Sequence, residues 1–475
     1  MIDTKVLREK ILDLAMRGKL VPQDPNDEPA SELLKRIKAE KEELIKQKKI
    51  KRDKNETEIF KGDDGLHYEK FADGTVNPLL TTLDFSDNWL PIKLSQILRV
   101  SSGKSLKRTQ LTEDGNVPVY GAHGIMGSYS EGFIEKGTLL IGRVGFYAGS
   151  IMRTKEFSWV TDNSLIVSSS SVVNSNFLEL SLKHLNLGSL TSQTAQPVIS
   201  GQKIYSQIIF LPPVNEQTKI VDSYNELISK VNTIEKEQEQ LKQLATQLKQ
   251  KVLDVAMQGK LVPQDPNDEP ASVLLEKIRA EKQRLYEEGK IKKKDLVETE
   301  LVKDGDNAYY QNLPKGWGKT LFGNIVYLLS GRDLSVAKYS DSVQKGIPYI
   351  TGASNFCDGI ITTSRFTEFP TVISEKKDIL ITVKGTVGEL AVNPYYKAHI
   401  ARQIMAIRPY LVNNEFLKIY LETKIDNMKL QSQSMIPGIS REVLLKLLIA
   451  LPPKTEQLRI TNLIKKLFQE FEEIT

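Results

Sequence analysis

The stretch GKLVPQDPNDEPAS occurs twice in the chain, at residues 18–31 and again, letter for letter, at 259–272. The match extends outward at the same offset of 241 residues, since SELLKRIKAEKEELIKQKKIK resembles SVLLEKIRAEKQRLYEEGKIK. A second pair, QPVISGQKIYSQIIFLPPVNEQTKI at 196–220 and IPGISREVLLKLLIALPPKTEQLRI at 436–460, lies at an offset of 240. The chain therefore consists of two copies of one unit of about 240 residues, far longer than a solenoid repeat.

The matched segments enclose two inserts, roughly 55–195 and 296–435, that keep common landmarks but differ in detail. Short apolar runs with turn residues between them, such as GTLLIGRVGFYAGSIM and KDILITVKGTVGELAV, are typical of short strands. Few helical periods occur before the end of each insert. Each insert is therefore predicted to be an α+β globule with a twisted sheet.

A long amphipathic helix is predicted between the inserts. From Ile220 to Val255 apolar residues alternate at spacings of four and three, which is the pattern of a coiled-coil seam. With its flanks this helix has about 40 residues and is about 60 Å long. Both ends of the chain repeat parts of the seam, so we expect them to form the second helix together. The predicted seam residues are Ile220, Tyr224, Leu227, Val231, Ile234, Leu241, Leu248, Val252, Ile460, Ile464, Leu467 and Phe471.

These patterns predict an α+β fold class: two globular α/β domains joined by a long antiparallel two-helix coiled coil, with pseudo-two-fold circular symmetry. The predicted segments are 1–54 (first part of the distal repeated region), 55–213 (first domain), 214–295 (central repeated region), 296–453 (second domain) and 454–475 (remainder of the distal region).

The repeated stretch itself, which we call the elbow (18–31 and 259–272), is predicted to end one helix and begin another. Gly18 and Gly259 are placed as helix C-terminal stops, and the prolines that follow prevent continuation. A second helix is expected from Ser31 to about Gln47. Two interpretations remain open with equal weight: a structural elbow, or a docking surface for two identical partners.

Composition narrows the class of protein. The length of 475 residues suggests two to four domains, and the single cysteine, Cys357, excludes a disulfide framework and a cysteine-rich zinc site. The start of the chain lacks the apolar region of a signal peptide, and no window is apolar enough to span a membrane. The cytoplasm is thus the expected location. A net charge of +5 permits a nucleic-acid partner without requiring one.

Motifs that would indicate catalysis are incomplete. GKS at 103–105 lacks the first glycine of a phosphate loop, and NPYY at 393–396 lacks the glycine-rich cofactor loop expected of a methyltransferase. The four histidines have no metal-ligand spacing. Trp89 and Trp317, at matching places, are more consistent with core anchors than with stacking platforms. We therefore predict no catalytic, cofactor or metal site in this chain.

The chain resembles the specificity subunits of Type I restriction–modification enzymes. The resemblance covers nearly all of the chain and rests on the duplicated elbow, the insert ends PVISGQKIYSQIIFLPP and PGISREVLLKLLIALPP, the helices headed by EQ, and the RVG and VKG loops. It implies that the inserts are target-recognition domains, each recognising one half of a split, asymmetric DNA sequence, and that the coils set the distance between the halves.

The same resemblance implies partners: double-stranded DNA, two modification subunits with S-adenosylmethionine, and two restriction subunits with ATP and Mg²⁺. It implies a non-catalytic chain within a complex that is a site-specific deoxyribonuclease and an adenine N6-methyltransferase. Two alternatives remain: a coiled-coil scaffold that presents two protein-binding domains without recognising DNA, and a self-sufficient methyltransferase, which the missing motifs disfavour.

Candidate DNA contacts come from loops that match between the inserts. IGRVGFYAG and VKGTVGE each place one cation, Arg143 or Lys384, between β-structure and a glycine that permits close backbone approach. The alternative for each is an ordinary hairpin with a surface cation. The predicted contacts are Lys104, Tyr120, His123, Arg143, Tyr147 and Asn163 in the first insert, and Ser354, Asn355, Lys384, Thr386, Arg402 and Gln403 in the second.

Overall fold

The computed structural model describes residues 1–50, 52, 57–79, 86, 88–112, 115–191, 197–298, 313–341, 345–357, 359–431 and 438–474. The chain divides into two compact units, unit 1 (Met1–Glu237) and unit 2 (Gln238–Thr475). The α-helices are α1 (Thr4–Met16), α2 (Ala30–Lys46), α3 (Leu94–Ile97), α4 (Ser175–His184), α5 (Gly201–Tyr205), α6 (Val214–Met257), α7 (Ala271–Glu287), α8 (Lys293–Leu296), α9 (Phe322–Ile325), α10 (Asn414–Gln431), α11 (Arg441–Leu445) and α12 (Lys454–Ile474).

The strands of unit 1 are β1 (Glu58–Lys61), β2 (His67–Lys70), β3 (Val76–Pro78), β4 (Leu90–Lys93), β5 (Leu98–Ser102), β6 (Val117–Gly121), β7 (Gly124–Tyr129), β8 (Leu139–Gly142), β9 (Ile151–Arg153), β10 (Trp159–Val160), β11 (Ser164–Ser169) and β12 (Ile208–Leu211). They form the sheets β5-β11-β8-β9, β10-β6-β7, β12-β4 and β1-β2-β3. The four-stranded sheet is antiparallel throughout, whereas β10 pairs with β6 in parallel.

The strands of unit 2 are β13 (Gly318–Leu321), β14 (Val326–Ser330), β15 (Ile347–Ile350), β16 (Phe356–Cys357), β17 (Ile360–Ile361), β18 (Phe366–Thr367), β19 (Ile373–Glu375), β20 (Ile379–Thr382), β21 (Leu390–Val392), β22 (Lys397–Ile400), β23 (Ile404–Pro409) and β24 (Leu448–Leu451). Their sheets are β14-β23-β20-β21, β18-β15-β22-β19, β13-β24 and β16-β17. The order β14-β23-β20-β21 repeats the order β5-β11-β8-β9 of unit 1. The predicted strands and the duplicated α+β architecture are confirmed.

The long central helix is also confirmed: α6 has 44 residues and contributes its first half to unit 1 and its second half to unit 2. In unit 1, Ala15 and Met16 at the end of α1 pack with Ile220 and Val221 near the start of α6. The guanidinium of Arg8 lies 2.6 Å from the Glu235 carboxylate, further along α6. In unit 1, therefore, α1 runs antiparallel to the first half of α6.

The second half of α6 has a different partner within unit 2. Ile460 and Ile464 of α12 share a buried cluster with Leu253 and Ala256 of α6. At the other end of this contact, the Lys249 ammonium lies 3.1 Å from the Glu472 carboxylate of α12. α12 therefore also runs antiparallel to α6.

The predicted seam is uneven along α6. Ile220 and Val231 are buried, and Tyr224, Leu227, Ile234 and Val252 are partly buried, as are Leu467 and Phe471 on α12. Leu241 and Leu248, by contrast, are 36% and 47% exposed. Within unit 1 the contacts of α1 with α6 extend to Glu235, and within unit 2 those of α12 with α6 extend to Lys249. The apolar spacing of α6 continues through the residues between these two contacts. The prediction that Leu241 and Leu248 are buried in the seam was wrong.

The elbow ends α1 and begins α2, as predicted. Gly18 follows α1 with φ 69° and Gly259 follows α6 with φ 67°, the left-handed conformation that closes a helix. The helices after the two elbows, α2 and α7, each have 17 residues and begin directly after a proline. A Cβ atom at Gly259 would lie 2.3 Å from Pro314 Cγ and 3.0 Å from the Trp317 ring, so the site has no space for a side chain.

The elbow, α6 and the first insert meet at one buried carboxylate, that of Glu216. A single oxygen, Oε1, accepts hydrogen bonds from the Gln23 amide of the elbow and from the Trp89 indole nitrogen, the latter at 2.9 Å. Trp89 is a buried core anchor, as predicted. We call this set, Gln23, Trp89 and Glu216, the carboxylate junction of unit 1.

Unit 2 repeats the junction with Gln264, Trp317 and Glu456. Gln264 Nε2 lies 2.7 Å from Glu456 Oε1, and the Trp317 indole nitrogen lies 3.0 Å from Glu456 Oε2. The next residue along each helix, Gln217 or Gln457, holds the insert, because its Oε1 accepts from the backbone N–H of Asn174 or Asn413. In each unit, therefore, the glutamate of the EQ pair binds the elbow, and the glutamine that follows it binds the insert.

Burial raises the pKa of the Glu216 carboxyl above its ordinary value of 4.5, although the hydrogen bonds from Trp89 and Gln23 lower it. The folded protein therefore holds this proton more tightly than the unfolded chain. The resulting contribution to stability is fully present below pH 4.5 and is lost as the pH rises through the folded-state pKa.

Glu216→Gln keeps an acceptor oxygen for both donors and removes the buried charge. We predict that the melting temperature of this variant, relative to that of wild type, is higher at pH 8 than at pH 5. Glu216→Leu removes the acceptor and should lose about 1–3 kcal/mol for each unpaired donor. Thermal unfolding at the two pH values measures both effects. A difference between Glu216→Gln and wild type that does not change with pH would contradict this assignment.

Gly259→Ala should destabilise unit 2, because alanine pays about 1–2 kcal/mol for the left-handed backbone and its methyl group meets Pro314 and Trp317. Gly289→Ala is the matched control, since Gly289 has φ 71° and nothing within 4 Å of the added Cβ. We expect Gly259→Ala to cost about 1–3 kcal/mol more than the control in chemical unfolding. Equal losses would show that the elbow is not tightly packed.

Candidate nucleic-acid interface

In unit 1 the predicted contact residues gather where several chain segments converge after the strands of the main sheet. The backbone N–H of Arg143 donates to Asn163 O at 2.8 Å, and Lys104 N donates to Val160 O at 2.9 Å. Ser150 Oγ donates to Ala122 O at 3.0 Å, which brings the residue before His123 to the same region. We call residues 102–104, 122–123, 143–149 and 162–163 loop surface 1.

Loop surface 1 presents cations beside aromatic rings. The Arg143 guanidinium is held loosely, 3.3 Å from Ser102 Oγ and 3.4 Å from Asp162 O. The His123 ring stacks on the Tyr147 ring with a centroid distance of 3.4 Å and an interplanar angle of 11°. Lys104 Nζ lies 4.3 Å from the centre of the Phe133 ring. Asn163 is exposed. Five of the six predicted side chains of this insert thus lie on one accessible surface.

Tyr120 is the exception and corrects the prediction. It is 3% exposed and packs with Leu140, Val160 and Ile166. Its hydroxyl accepts a hydrogen bond from Lys155 N at 3.1 Å. The alternation of β6 turns this ring inward, so Tyr120 supports the sheet and does not present its ring to a ligand.

Sequence analysis missed Phe146, which stands between Arg143 and Tyr147. Its side chain is 90% exposed, and its ring lies 5.1 Å from that of Tyr147 in an edge-on arrangement. The run RVGFYAG contained the signal, because an apolar ring between two glycines in a short loop has few neighbours to bury it. A large exposed ring beside a cation is a common arrangement in surfaces that bind nucleic-acid bases.

Unit 2 builds a corresponding surface from residues 331–333, 351–355, 383–388 and 401–403, which we call loop surface 2. Val383 N donates to Gln403 O at 2.7 Å, and Arg332 N donates to Ile400 O at 2.9 Å. Ser354, Lys384, Thr386 and Arg402 are exposed. The Arg402 guanidinium pairs with the Asp333 carboxylate at 2.7 Å, so part of its charge is offset.

Two predicted residues of loop surface 2, Asn355 and Gln403, are partly buried. The Asn355 side chain accepts from Thr351 N at 2.8 Å and donates to Thr362 O at 2.9 Å, so both ends of its amide shape the turn. Gln403 Oε1 is buried and has no hydrogen-bond partner among the described residues. Asn355 therefore shapes the turn, and the exposed neighbours named above are better placed for a ligand than either residue.

Arg143 of loop surface 1 and Lys384 of loop surface 2 do not occupy the same position of the repeated unit; their positions are adjacent. Arg143 O accepts from Ile199 N, whereas in unit 2 it is Val383 O that accepts from Ile439 N. Lys384 instead corresponds to Val144, and each forms an isolated bridge, with Gly438 and Val198 respectively. The same backbone frame therefore presents its cation one residue later in unit 2.

The remaining motifs are structural where the structure describes them. Asn393 of NPYY is buried, donates to Ser374 Oγ at 3.0 Å and accepts from Tyr395 N at 2.9 Å, so its side chain holds a turn. His399 is buried between the carbonyls of Val372 and Arg332, and burial lowers its pKa. Across the described ranges no group of three His, Cys, Asp or Glu side chains could hold a metal ion. The helices described here include none long and apolar enough to cross a membrane.

Comparison with curated proteins finds similar chains of almost the same extent. The Type I restriction enzyme EcoAI specificity subunit of Escherichia coli is 29% identical over 541 residues, covering 98% of this chain and 89% of that protein. The EcoEI specificity subunit of the same species is 27% identical over 550 residues, with the same coverage of both chains.

Two solved structures share the fold at 17% sequence identity. One is a chain from "Structural basis underlying complex assembly and conformational transition of the type I R-M system", with a TM-score of 0.54 over 81% of this chain and 91% of that one. The other is the HsdS subunit from Thermoanaerobacter tengcongensis, with a TM-score of 0.50 over 82% and 91%.

The family model described as the Type I restriction modification DNA specificity domain matches residues 86–243 and 314–475. These two matches cover most of each insert and a long part of the helix that follows it, and together they exceed half of the chain. The chain therefore belongs to the Type I restriction modification DNA specificity family.

Proposed function

We propose that this chain is the sequence-specific DNA-recognition subunit of a Type I restriction–modification complex. The observation that carries the proposal is the repetition of one loop frame with different side chains. Loop surface 1 offers Arg143 and a His123–Tyr147 stack, whereas loop surface 2 offers Lys384 and an Arg402–Asp333 pair. Two similar frames with dissimilar donors suit a split, asymmetric target with one half for each surface.

The arrangement of α6 supports a fixed distance between the half-sites. In this proposal α1 and α12 together form the second helix of an antiparallel coiled coil, which gives the chain pseudo-two-fold circular symmetry. The packing of α1 on the first half of α6 and of α12 on the second half supports it. A stiff helical spacer would set the DNA gap as dimer geometry does in other DNA-binding proteins.

The catalytic steps belong to partners in this proposal. Two modification subunits with S-adenosylmethionine would methylate adenine, and two restriction subunits with ATP and Mg²⁺ would cleave, all in the cytoplasm. The chain carries a net charge of only +5, which favours tight DNA binding by the assembled complex over binding by the chain alone. A scaffold without a DNA role is not favoured, because the similar curated proteins are specificity subunits.

Arg143→Ala should weaken recognition of one half-site and leave the other unchanged. A bidentate contact from an arginine to a base contributes about 1–3 kcal/mol, so binding to DNA that carries the intact first half-site should fall by about 5–150-fold. Duplexes with each half-site scrambled in turn, bound to the complex with its modification subunits, measure the effect. Lys183→Ala is the control, since it removes one charge from α4 of the same unit.

An equal loss at both half-sites, or a loss matched by Lys183→Ala, would show that Arg143 acts only through general charge. No loss at either half would remove Arg143 from the interface altogether.

Phe146→Ala should also weaken DNA binding, because a ring exposed to this extent can stack on or insert between bases. The expected loss is about 1–3 kcal/mol. Phe60→Ala on β1 is the matched control, since that ring is also exposed but is stacked on Tyr68. Equilibrium binding of the complex to a cognate duplex, with thermal unfolding of each variant alongside, separates contact from stability. Equal affinities for the two variants would refute this role for Phe146.

A further inference from the structure

Arg332, which the sequence analysis did not include among the DNA contacts, is the structural equivalent of Lys104. Lys104 N donates to Val160 O, and Arg332 N donates to Ile400 O, both at 2.9 Å. The two acceptors are themselves separated by 240 residues, the offset of the second matched pair. Arg332 therefore stands in loop surface 2 where Lys104 stands in loop surface 1.

A glycine precedes the cation in both units, and the structure requires it there. A Cβ atom at Gly103 would lie 2.3 Å from Thr161 O, and one at Gly331 would lie 2.1 Å from Ala401 O. Without side chains, the two glycines let their segments cross the facing segment closely. The backbone of the next residue is thereby fixed, and both cations are exposed.

The Arg332 guanidinium is available to a ligand. Among the described residues it has no hydrogen bond, ion pair or ring contact. The neighbouring carboxylate, Asp333, is occupied by Arg402, whose backbone N–H donates to Oδ1 at 3.1 Å and whose guanidinium lies 2.7 Å from Oδ2. In unit 1, by contrast, the Lys104 ammonium lies 4.3 Å from the centre of the Phe133 ring.

The type of cation at each place differs between the two surfaces. A guanidinium is a planar fork that can donate to O6 and N7 of guanine at once, whereas an ammonium is a point charge. Loop surface 1 carries lysine at Lys104 and arginine at Arg143. Loop surface 2 carries arginine at Arg332 and lysine at Lys384. The side chain able to make a bidentate contact therefore lies on a different loop in each surface.

We propose that Arg332 is a specificity-determining residue of loop surface 2, and that it recognises a guanine of the second half-site through O6 and N7 in the major groove. Lys384 contacts a backbone phosphate and adds affinity without sequence preference. This inference rests on the proposed DNA recognition and adds to it the base that the second surface recognises.

The test uses the full chain with its modification subunits, bound to a duplex that carries the motif found by N6-methyladenine sequencing. Arg332→Lys keeps the charge and removes the fork, so its affinity for this duplex should fall by about 5–150-fold. Arg279→Lys is the matched control, since Arg279 is an exposed arginine on α7 of the same unit, outside loop surface 2. The control should bind as wild type does.

Two further measurements separate contact with a base from contact with a phosphate. 7-Deazaguanine, which lacks N7, is placed at each guanine of the second half-site in turn. At one of these positions it should weaken the wild-type complex and leave the affinity of Arg332→Lys unchanged. Lys384→Ala should weaken binding to every duplex and lower the slope of log affinity against log salt by about 1.

Methylation mapping with Arg332→Lys should give a motif that is relaxed at one G·C pair of the second half and unchanged in the first. The inference is overturned if the second half-site has no G·C pair, if Arg332→Lys binds as tightly as wild type, or if its loss is the same when the second half-site is scrambled. A wild-type complex that does not distinguish intact from scrambled second half-sites would instead refute the proposed function, and this inference with it.

Discussion

One buried carboxylate in each unit holds together three parts of the chain that are distant in sequence. Glu216 accepts from the elbow glutamine and the insert tryptophan at once, and Glu456 does the same in unit 2. A buried carboxylate without donors would be very costly, so the elbow, the helix and the insert must meet for each unit to fold. This contact accounts for the glutamine that both elbows share, Gln23 and Gln264.

Within each insert, the sheet forms a conserved frame and the loop surface carries side chains that differ between the two units. Backbone hydrogen bonds, such as Arg143 N to Asn163 O and Val383 N to Gln403 O, hold part of each loop surface and place no demand on the side chains of those four residues. Side chains there can change without unfolding the sheet beneath. The one-residue difference between Arg143 and Lys384 shows that one backbone frame can present its cation at different positions.

Much of this fold follows from sequence pattern, because repeats, heptads and strand alternation are local signals. The long central helix and the glycine stops at Gly18 and Gly259 were predicted for that reason. The errors arose where tertiary contacts decide. Tyr120 faces inward because β6 is covered, and the exposure of Leu241 and Leu248 depends on helix packing that residue spacing alone does not determine. Phe146 was missed since exposure cannot be deduced from residue type, and the carboxylate junctions join residues more than 100 positions apart.

The central claim is that two dissimilar surfaces of one chain recognise the two halves of a split DNA sequence. Sequencing that detects N6-methyladenine, applied to DNA methylated by the chain with its modification subunits, tests it most directly. The account predicts one motif of two different half-sites separated by an unspecified gap of constant length, with only the first half altered by exchange of residues 55–213. A contiguous motif, a gap of variable length, or the absence of any motif would contradict it.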